Sequence, residues 1–267
     1  MNKFLKKISI ISVTYNAANS IENMIKSIIS QVNLSDIEFI IIDGNSTDGT
    51  CDIIKKYDSY IDIFLSEKDN GIYDAMNKGL NYAKGEYVYF IGADDTLYSN
   101  DILKNICCYL NSNIDVLSGT VYLVDRIFHM KKLSKNKYTK DEIITGQMLP
   151  HQGLFVRRTL ALKYKFNVKY KISSDYEMLL KIIKDNYNIL YIDDVIANYN
   201  VSGISSLQTE ILIKEYTEIL KENISEENAI LFNKKINNNF LKKYVKKFIK
   251  NCFGNRVLKK LSGWENY

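Results

Sequence analysis

Four short clusters of polar residues could carry chemistry, and each directly follows a segment rich in β-branched or other apolar residues. These clusters are residues 14–16 (TYN), 43–48 (DGNSTD), 67–71 (EKDNG) and 92–95 (GADD). Asp and Asn in such places also form Asx turns and helix caps, and for Asp48 a cap on the next helix explains the residue as well as a functional role does. Together the clusters hold more acidic residues than solvation requires, which predicts a ligand-binding site.

The neighbouring residues Asp94 and Asp95 indicate a bound cation. Adjacent carboxylates repel each other unless a cation or a proton is shared between them. Carboxylate oxygens suit Mg²⁺ or Mn²⁺, and proteins typically hold these ions with one or two carboxylates plus the phosphates of a substrate. The motifs GxGxxG and GxxxxGK[ST] are absent, and the turn after the first apolar segment reads TYNAANS. Dinucleotide-dependent dehydrogenases and P-loop nucleotidases are therefore disfavoured.

The elements that must position the clusters alternate between strand and helix over the first hundred residues. We predict strands over residues 7–14, 38–42, 61–66 and 86–91, and helices over residues 20–31, 50–57 and 75–83. Such βαβ units are right-handed and build a parallel sheet with helices on both faces. Ligands bind at the carboxyl ends of the strands in such a sheet, which is where all four clusters lie. Further strands are predicted over residues 115–124, 151–157 and 189–198, and further helices over residues 101–110, 174–184, 209–222 and 226–252.

The segments SVTYN, SIISQ, EFIIIDGNSTDGT and SEKDNGIYDAMNKGLNYAKGEYVYFIGADD, in this order, resemble the donor-binding half of family 2 glycosyltransferases with the GT-A fold. The resemblance covers residues 8–100 densely and resumes at residues 151–152 (HQ) and 172–180 (ISSDYEMLL). Within that family the chain is similar to bacterial β1,3-glucosyl- and galactosyltransferases that build O-antigen and capsule repeat units. The resemblance implies an α/β protein with a Rossmann-like, mostly parallel sheet flanked by helices and a helical C-terminal extension.

The resemblance also implies a division of the chain. We predict a GT-A catalytic domain over residues 1–207, in which residues 1–100 bind the nucleotide sugar and residues 101–207 bind the acceptor. Residues 208–267 are predicted to form a helical, basic and amphipathic tail.

The family motifs assign donor-binding roles to residues of the first half. The residues expected to bind the nucleotide sugar are Thr14, Asn16, Asp43, Asp69, Gly71, Asn77, Lys78 and Asp94. Asp43 matches the acid that accepts a hydrogen bond from a uracil ring, so the expected donor is a UDP-sugar. Lys78 could neutralise phosphate charge, although a lysine on a helix is often simply solvated. Asp94 and Asp95 match the DxD motif and are the expected ligands of Mn²⁺ or Mg²⁺. Because Ala93 replaces the first Asp of this motif, the diphosphate must contribute more to the coordination of the metal.

Asp175, in the segment SSDYE, matches the general base of the family. An inverting sugar transfer is a single displacement, which needs a carboxylate to accept the proton of the acceptor hydroxyl and a cation to neutralise the diphosphate. Two alternatives stay open: Asp175 could cap the helix that begins there, and Glu177 could be the base instead. His151 and Gln152 resemble the acceptor-side motif and are expected to contact the acceptor, whereas His129 is expected to be structural or at the surface.

The resemblance therefore implies an inverting, metal-dependent transferase that moves one hexose from UDP-glucose or UDP-galactose to an acetamido sugar on a polyprenyl diphosphate. A β1,3 linkage and a role in O-antigen, lipopolysaccharide or capsule synthesis are expected by analogy. The processive-synthase signature QxxRW is absent, which favours addition of a single sugar. One alternative is a non-catalytic sugar-nucleotide-binding module, against which Asp95 and Asp175 argue. The other is a nucleotidyltransferase, which needs a Gly-rich loop with a basic residue where this chain has TYNAANS.

The charge of the chain is uneven. Residues 234–260 contain ten Lys or Arg and no Asp or Glu, whereas the whole chain has 36 basic and 31 acidic residues. The rest of the chain is therefore acidic on balance, and no nucleic-acid partner is expected. The tail contains an apolar stripe, and lysines surround it. The stripe consists of Leu241, Tyr244, Val245, Phe248, Ile249 and Cys252. Such a helix suits an anionic membrane surface, with packing of the stripe on the catalytic domain as the alternative.

Cellular location follows from what the sequence lacks. Apolar runs of about 18 residues or more are absent, as is a secretory-signal pattern. The four cysteines, Cys51, Cys107, Cys108 and Cys252, have no CxxC spacing and are expected to be free thiols. We expect a cytoplasmic protein that associates peripherally with the inner face of the bacterial cytoplasmic membrane.

Overall fold

A ten-stranded sheet runs through the computed structural model, which describes residues 6–201, 209–236 and 262–266. The strands are β1 (Ile8–Thr14), β2 (Ile37–Asp43), β3 (Ile63–Ser66), β4 (Tyr87–Gly92), β5 (Thr96–Leu97), β6 (Val116–Asp125), β7 (Met130–Leu133), β8 (Leu154–Arg157), β9 (Ile189–Asn200) and β10 (Glu265–Asn266). The helices are α1 (Ile21–Ile29), α2 (Thr50–Lys55), α3 (Ile72–Tyr82), α4 (Ile102–Tyr109), α5 (Lys140–Ile143), α6 (Arg158–Tyr164), α7 (Ser174–Lys184) and α8 (Thr209–Asn223). A further helical segment covers residues 226–236.

The first half of the chain forms the parallel part of the sheet. Strand β1 pairs in parallel with β2 on one side and β4 on the other, and β3 pairs in parallel with β2. Every residue of β2 is buried, as its continuous apolar run predicts for a strand covered on both faces. The register places Thr14 beside Asp43 and Asp43 beside Ser66, so the strands end at a common edge.

Helices cover both faces of this sheet, because successive side chains of a strand point to opposite faces. Ile11 of β1 belongs to the core beneath α3, α7 and α8, whereas Ile10 belongs to the core beneath α1 and α4. The predicted α/β architecture, a mostly parallel sheet flanked by helices, is confirmed.

The second half of the chain differs from a simple continuation of βαβ units. Strand β8 lies between β4 and β6 and is antiparallel to both. Strand β9 pairs in parallel with β6 and antiparallel with β5. The short elements β5, β7, α5 and α6 were not predicted, because two to seven residues carry too little periodicity to be recognised in a sequence.

The described part of the predicted C-terminal extension shares a core with the preceding part of the chain. Tyr216, Ile219 and Leu220 of α8 lie in the same apolar cluster as Tyr176 and Leu180 of α7. The last described residues pair with the sheet rather than forming a helix, since Glu265 lies opposite Lys131 in an antiparallel pairing of β10 with β7. The apolar stripe of residues 241–252 lies outside the described residues, and the division of the chain at residue 208 stays a prediction.

Two further observations bear on location and redox state. Within the described ranges, no helix combines the length and the apolar character needed to cross a membrane. The described cysteines, Cys51, Cys107 and Cys108, are free thiols.

Candidate functional site

Asp43 lies at the carboxyl end of β2, completely buried. One carboxylate oxygen, Oδ2, accepts hydrogen bonds from the backbone N–H of Ser46 (2.9 Å), the hydroxyl of Ser66 (2.7 Å) and the thiol of Cys51 (3.2 Å). Burial by itself raises the pKa of Asp43, but the hydrogen bonds from Ser46 and Ser66 outweigh burial and hold this pKa below its usual value. The residue is therefore ionised at neutral pH. Oδ1 accepts only the hydroxyl of Ser46 and keeps capacity for one more donor.

The turn after β1 is fixed by the turn after β2. The backbone N–H of Asn16 donates to Ser46 Oγ over 2.8 Å, and Asn16 Oδ1 accepts from the N–H of Thr47 over 3.0 Å. Asn16 has a φ of 49°, a left-handed conformation that Asn tolerates better than most residues. Its side chain thus holds the two predicted donor-binding turns together.

Asp48 has a structural role in this arrangement. Its Oδ1 accepts the backbone N–H of Thr50 at the start of α2 (3.0 Å), and its Oδ2 accepts the N–H of Ala18 (3.0 Å). The N-cap residue of α2 is Gly49, so Asp48 fixes the turn just before the helix and does not cap the helix itself.

Thr14 ends β1 with 6% of its surface exposed, and its hydroxyl oxygen has no hydrogen-bond partner among the described residues. A buried hydroxyl without a partner is uncommon and costly. Thr14 neighbours Asp43 in the sheet register, so this polar atom lies at the predicted donor site.

Tyr15, which the sequence analysis did not select, is 66% exposed beside the same turn. A Cβ atom on Gly44 would lie 3.4 Å from Tyr15 Cδ2 and only 2.5 Å from Asp69 Oδ2. Gly44 therefore allows Asp69 to approach the backbone closely. The other oxygen of Asp69 accepts the N–H of Gly71 over 2.9 Å, and Gly71 has a φ of 113°, which glycine adopts without strain. An exposed aromatic ring next to Asp43 and Asp69 offers a flat surface for a nucleobase.

Lys78 and Asn77 lie on α3 but engage different parts of the protein. Lys78 Nζ is 2.8 Å from a carboxylate oxygen of Glu67, and this hydrogen bond is the main reason that the pKa of Lys78 is raised. Lys78 thus belongs to the rim formed by residues 67–71. The amide of Asn77 instead donates to the carbonyl of Phe166 (2.7 Å) and accepts its N–H (2.9 Å), so it ties α3 to the segment before α7.

The pair Asp94 and Asp95 lies at the end of β4. Asp95 is 1% exposed, and its two oxygens accept the backbone N–H groups of Asn200 (2.8 Å) and Gly92 (3.2 Å). Asp94 is half-buried, and its Oδ2 accepts the side-chain amide of Asn200 over 2.9 Å. Burial and the neighbouring Asp94 carboxylate raise the pKa of Asp95 to about 7.

These two carboxylates fit a hard divalent cation. Burial and, to a smaller extent, repulsion from the Asp94 carboxylate raise the pKa of Asp95, and a bound cation would stabilise the ionised form against both effects. Within the described part of the chain, no group of three or more His, Cys, Asp or Glu side chains is arranged to hold a metal. A cation at Asp94 and Asp95 would therefore need oxygen ligands from a substrate, as Mg²⁺ commonly does.

Asp175 lies in the first turn of α7 and is half-buried. The hydroxyl of Tyr73, on α3, donates to Asp175 Oδ1 over 3.1 Å. The N-cap residue of α7 is Ser173, which argues against the alternative that Asp175 is only a cap. Tyr73 was not selected from the sequence; its position two residues after Asn70-Gly71, on the helix that follows the loop, is the signal that could have identified it.

Glu177, the alternative base, is buried and contacts two neighbouring side chains. It is 3% exposed, forms an ion pair with Lys181 (3.1 Å) and accepts the side-chain amide of Asn167 (3.3 Å). A general base must reach the substrate proton. The geometry therefore favours Asp175.

His151 lies in an aromatic pocket next to Asp175. Its ring stacks on Phe90 with centroids 5.7 Å apart and meets the edge of Phe166 at 6.1 Å. Its Nε2 atom is buried and finds no hydrogen-bond partner in the part of the chain that the structure describes, and His151 and Asp175 both line a cavity of about 20 Å³. Burial lowers the pKa of His151, partly offset by the Asp175 carboxylate, so the imidazole is neutral at neutral pH.

Gln152 lies between this pocket and a larger cavity. Its carbonyl accepts the hydroxyl of Tyr89 (3.0 Å), and its side chain helps to line a cavity of about 430 Å³. Apolar and aromatic residues form much of the wall of this cavity, and two lysines also line it. The apolar and aromatic residues include Leu123, Leu133, Tyr138, Pro150 and Tyr199, and the lysines are Lys132 and Lys135. This cavity is built from β6, β7, the segment before β8 and the end of β9, and nothing in the sequence pattern predicted it.

Comparison with known proteins adds independent information. The family described as glycosyl transferase family 2 matches residues 9–166. A protein of Mycobacterium bovis named PGL/p-HBAD biosynthesis glycosyltransferase is 29% identical over 219 residues, covering 79% of this chain and 83% of the relative.

Two solved structures share the fold. Residues 1–349 of S. aureus TarS, in complex with UDP, align with a TM-score of 0.65 and 20% identity over 88% of this chain and 72% of that one. The mannosyltransferase PcManGT from Pyrobaculum calidifontis, in complex with GDP-Man and Mn²⁺, aligns with a TM-score of 0.63 and 18% identity over 81% of this chain and 64% of that one.

Proposed function

The chain belongs to glycosyl transferase family 2, and from this membership we propose that it transfers one hexose from UDP-glucose or UDP-galactose to a lipid-linked acceptor. It is a glycosyltransferase of the GT-A type that uses a nucleotide-sugar donor. The proposed acceptor is an acetamido sugar on a polyprenyl diphosphate, and the proposed product is β1,3-linked. The proposed context is the synthesis of a bacterial surface polysaccharide such as O-antigen, lipopolysaccharide or capsule.

The observation that carries the proposal is the hydrogen bond between Tyr73 and Asp175. Tyr73 follows the loop of the donor half, whereas Asp175 belongs to the acceptor half. Their contact brings a half-buried carboxylate next to the proposed donor half, which supports the proposal that the acceptor hydroxyl and the donor sugar react here. A binding module would not need a base at this junction.

The donor is proposed to bind along the carboxyl ends of the parallel strands. The uracil stacks on the exposed ring of Tyr15 and donates its N–H to Oδ1 of Asp43, while Thr14 offers its unpartnered hydroxyl. Asn16, Asp69 and Gly71 shape the turns around the nucleoside. Lys78, although paired with Glu67, contributes positive charge near the phosphates. Asn77 takes an indirect part, since its amide holds the segment before α7.

Asp94 and Asp95 are proposed to hold Mn²⁺ or Mg²⁺ together with the donor diphosphate. The ion, when bound, takes up the negative charge that develops on the leaving diphosphate. The raised pKa of Asp95 supports the assignment, because a buried carboxylate next to another one favours a bound cation.

Asp175 is proposed to accept the proton of the acceptor hydroxyl while that oxygen attacks the anomeric carbon. Tyr73, which donates to Oδ1, orients the carboxylate and leaves Oδ2 for the proton. One displacement inverts the configuration, so an α-linked UDP-hexose yields a β-linked product. Neutral His151 offers its unpartnered Nε2 to a second hydroxyl of the acceptor.

The cavity beside Gln152 supports an acceptor larger than a single sugar. Its aromatic side chains, Tyr138 and Tyr199, suit the apolar faces of a saccharide. Lys132 and Lys135 add positive charge for an attached diphosphate, although Lys132 donates to the carbonyl of Ser262 (2.6 Å) and Lys135 pairs with Glu142 (2.9 Å). The basic segment of residues 234–260 would bring this cavity to an anionic membrane, which is the reason for proposing a peripheral location at the inner face of the cytoplasmic membrane.

A donor screen tests the function. The wild-type chain is incubated with UDP-glucose, UDP-galactose or UDP-GlcNAc, Mn²⁺, and a synthetic GlcNAc- or GalNAc-diphosphate-lipid, and the product is analysed by mass spectrometry and NMR. We expect a β-linked hexosyl product from a UDP-hexose. Binding of UDP without any transfer would instead support the sugar-nucleotide-binding module, and transfer of a nucleotidyl group would support a nucleotidyltransferase.

A further inference from the structure

Helix α8 touches the segment that leads to Asp175 through a buried carboxylate. Glu215 is 7% exposed, and its two oxygens accept the backbone N–H groups of two successive residues, Lys171 over 2.7 Å and Ile172 over 3.1 Å. Ionised carboxylates form stronger hydrogen bonds than neutral acceptors do. This bidentate contact fixes the orientation of the peptide group only three residues before Asp175.

Two neighbouring acids on α8 also contact this segment, but at the surface. Glu218 and Glu222 form ion pairs with Lys169 at 2.7 and 2.8 Å, and their side chains are 38% and 47% exposed. Exposed ion pairs of this kind contribute little to stability. Glu218 and Glu222 are therefore suitable control positions for comparison with the buried Glu215.

Helix α8 also contacts the chain on the other side of Asp175. The ring of Tyr216 is stacked on the ring of Tyr176, with centroids 4.0 Å apart and planes 3° apart. The Tyr176 hydroxyl donates to the carbonyl of Ile143 over 2.7 Å. Consecutive residues of α8 thus hold the chain before and after Asp175, and α8 lies beyond the residues that the family model matches.

We propose that Glu215 is a positioning residue for Asp175, acting through the backbone of Lys171 and Ile172; the proposal rests on the proposed role of Asp175 as the base. Proton transfer requires the carboxylate within hydrogen-bond reach of the acceptor hydroxyl. A displacement of about 1 Å in such a group can cost about 100-fold in rate. Glu215 prevents this displacement without touching the substrate.

The chemistry of Glu215 makes conservative variants informative. Glu215→Gln keeps one oxygen but places an NH₂ group against a backbone N–H, so one of the two hydrogen bonds is lost and two donors face each other. Glu215→Asp keeps both oxygens on a side chain that is one methylene shorter. We therefore expect the order of activity to be wild type, then Glu215→Asp, then Glu215→Gln.

The first test compares Glu215→Gln with Glu218→Gln, which removes an exposed acid one helical turn away. UDP release from UDP-glucose or UDP-galactose is measured with the synthetic diphosphate-lipid acceptor, and UDP binding is measured by calorimetry. For Glu215→Gln we expect kcat to fall about 10- to 100-fold, with the UDP dissociation constant changed less than about threefold. Glu218→Gln should retain wild-type kcat. Equal effects of the two substitutions, or a loss of UDP binding that matches the loss of kcat, would overturn the proposal.

A double-mutant cycle distinguishes positioning from a general loss of structure. If Glu215 acts through Asp175, adding Glu215→Gln to Asp175→Asn should lower the residual rate less than about twofold. A purely structural defect would lower the residual rate by the same factor as in the wild-type background, which contradicts the proposal. If Glu215→Gln does not fold, Glu215→Asp takes its place in the same cycle.

Hydrogen exchange gives a measurement that does not depend on turnover. Peptides that include residues 171–176 should exchange faster in Glu215→Gln than in Glu218→Gln, whereas peptides from β1 and β2 should not change. Unchanged exchange at residues 171–176 would contradict the positioning role even if no substrate were found. Conversely, full activity of Asp175→Asn would disprove the proposed role of Asp175 as the base. It would not affect the hydrogen-exchange result for residues 171–176.

Discussion

Asp175 and Glu177 lie two residues apart, but Asp175 is half-buried beside the hydroxyl of Tyr73, whereas Glu177 is 3% exposed and paired with Lys181. We predict that Asp175→Asn lowers kcat about 10²- to 10⁴-fold, the usual contribution of general-base catalysis, with UDP affinity nearly intact. Glu177→Gln should change kcat much less, because Glu177 is buried and paired with Lys181. Steady-state kinetics with calorimetry on UDP checks both expectations. Normal turnover by Asp175→Asn would return the role to Glu177, and an α-linked product would rule out the inverting mechanism.

At the same scale, Asp94 and Asp95 predict metal dependence. EDTA should abolish transfer, and Mn²⁺ or Mg²⁺ should restore it. Asp95→Ala should cost more activity than Asp94→Ala, because it removes a proposed metal ligand and also leaves the backbone N–H groups of Gly92 and Asn200 without their acceptor. Calorimetric titration of UDP with and without Mn²⁺ distinguishes a loss of metal-dependent UDP binding from a loss of folding stability. Full activity in EDTA would disprove the assignment.

His151 predicts a pH dependence of stability. Burial places the pKa of His151 in the folded chain below the ordinary value of 6.5. As the pH falls below about 6.5, the unfolded chain therefore takes up a proton that the folded chain does not, and stability decreases by up to about 1.4 kcal/mol per pH unit. Above pH 6.5 this contribution is fully present.

Urea unfolding of the wild type and of His151→Asn between pH 8 and pH 5.5 measures this effect. The difference in unfolding free energy between the two should be constant from pH 8 to pH 7 and should shift in favour of His151→Asn at lower pH. Parallel curves over the whole range would show that His151 is not the group responsible.

At the scale of elements, α3 connects the loop of residues 67–71 with the segment before α7. Asn77 makes two hydrogen bonds to the backbone of Phe166, so Asn77→Ala leaves a partly buried N–H and carbonyl without partners. We expect a loss of about 1–3 kcal/mol in unfolding free energy. Asn81→Ala, on the same helix at an exposed position, is the matched control and should change stability by less than about 0.5 kcal/mol. Chemical denaturation compares the two, and equal effects would contradict the linking role of Asn77.

At the scale of the whole molecule, the basic segment predicts binding to anionic membranes. Deleting the tail would also remove β10, which pairs with β7. Replacing Lys242, Lys243, Lys246 and Lys247 by Gln avoids this problem. Each lysine near such a surface contributes about 1 kcal/mol, so binding to vesicles that contain phosphatidylglycerol should fall more than about tenfold.

The matched control replaces four exposed lysines elsewhere: Lys55, Lys56, Lys84 and Lys104. This variant has the same net charge and should bind the vesicles as the wild type does. Raising the salt concentration should weaken binding of the wild type through screening. Equal binding of the two lysine variants would indicate that the apolar stripe packs within the protein.

Much of the donor half was predictable because its information is local. Alternation of apolar segments and turn residues over short stretches predicted β1 to β4 and the helices between them, and parallel pairing brings the ends of those strands to one edge. Thr14, Asp43, Asp69 and the pair at residues 94–95 were therefore placed at one rim from sequence alone, and the order of the motifs indicated the family.

Contacts between distant segments were decided only by the tertiary structure. Tyr73 reaches Asp175 across 102 positions and Glu215 reaches Lys171 across 44, and neither link leaves a periodic signal along the chain. The binding of the donor by Asn77 stays a prediction, but the contact of its amide with Phe166 was not predicted, because the hydrogen-bond partner of a side chain depends on which backbone folds next to it. Residue types at strand ends thus indicated the chemistry, whereas the packing of α3, α7 and α8 decided which residues contact Asp175 and the segment before it.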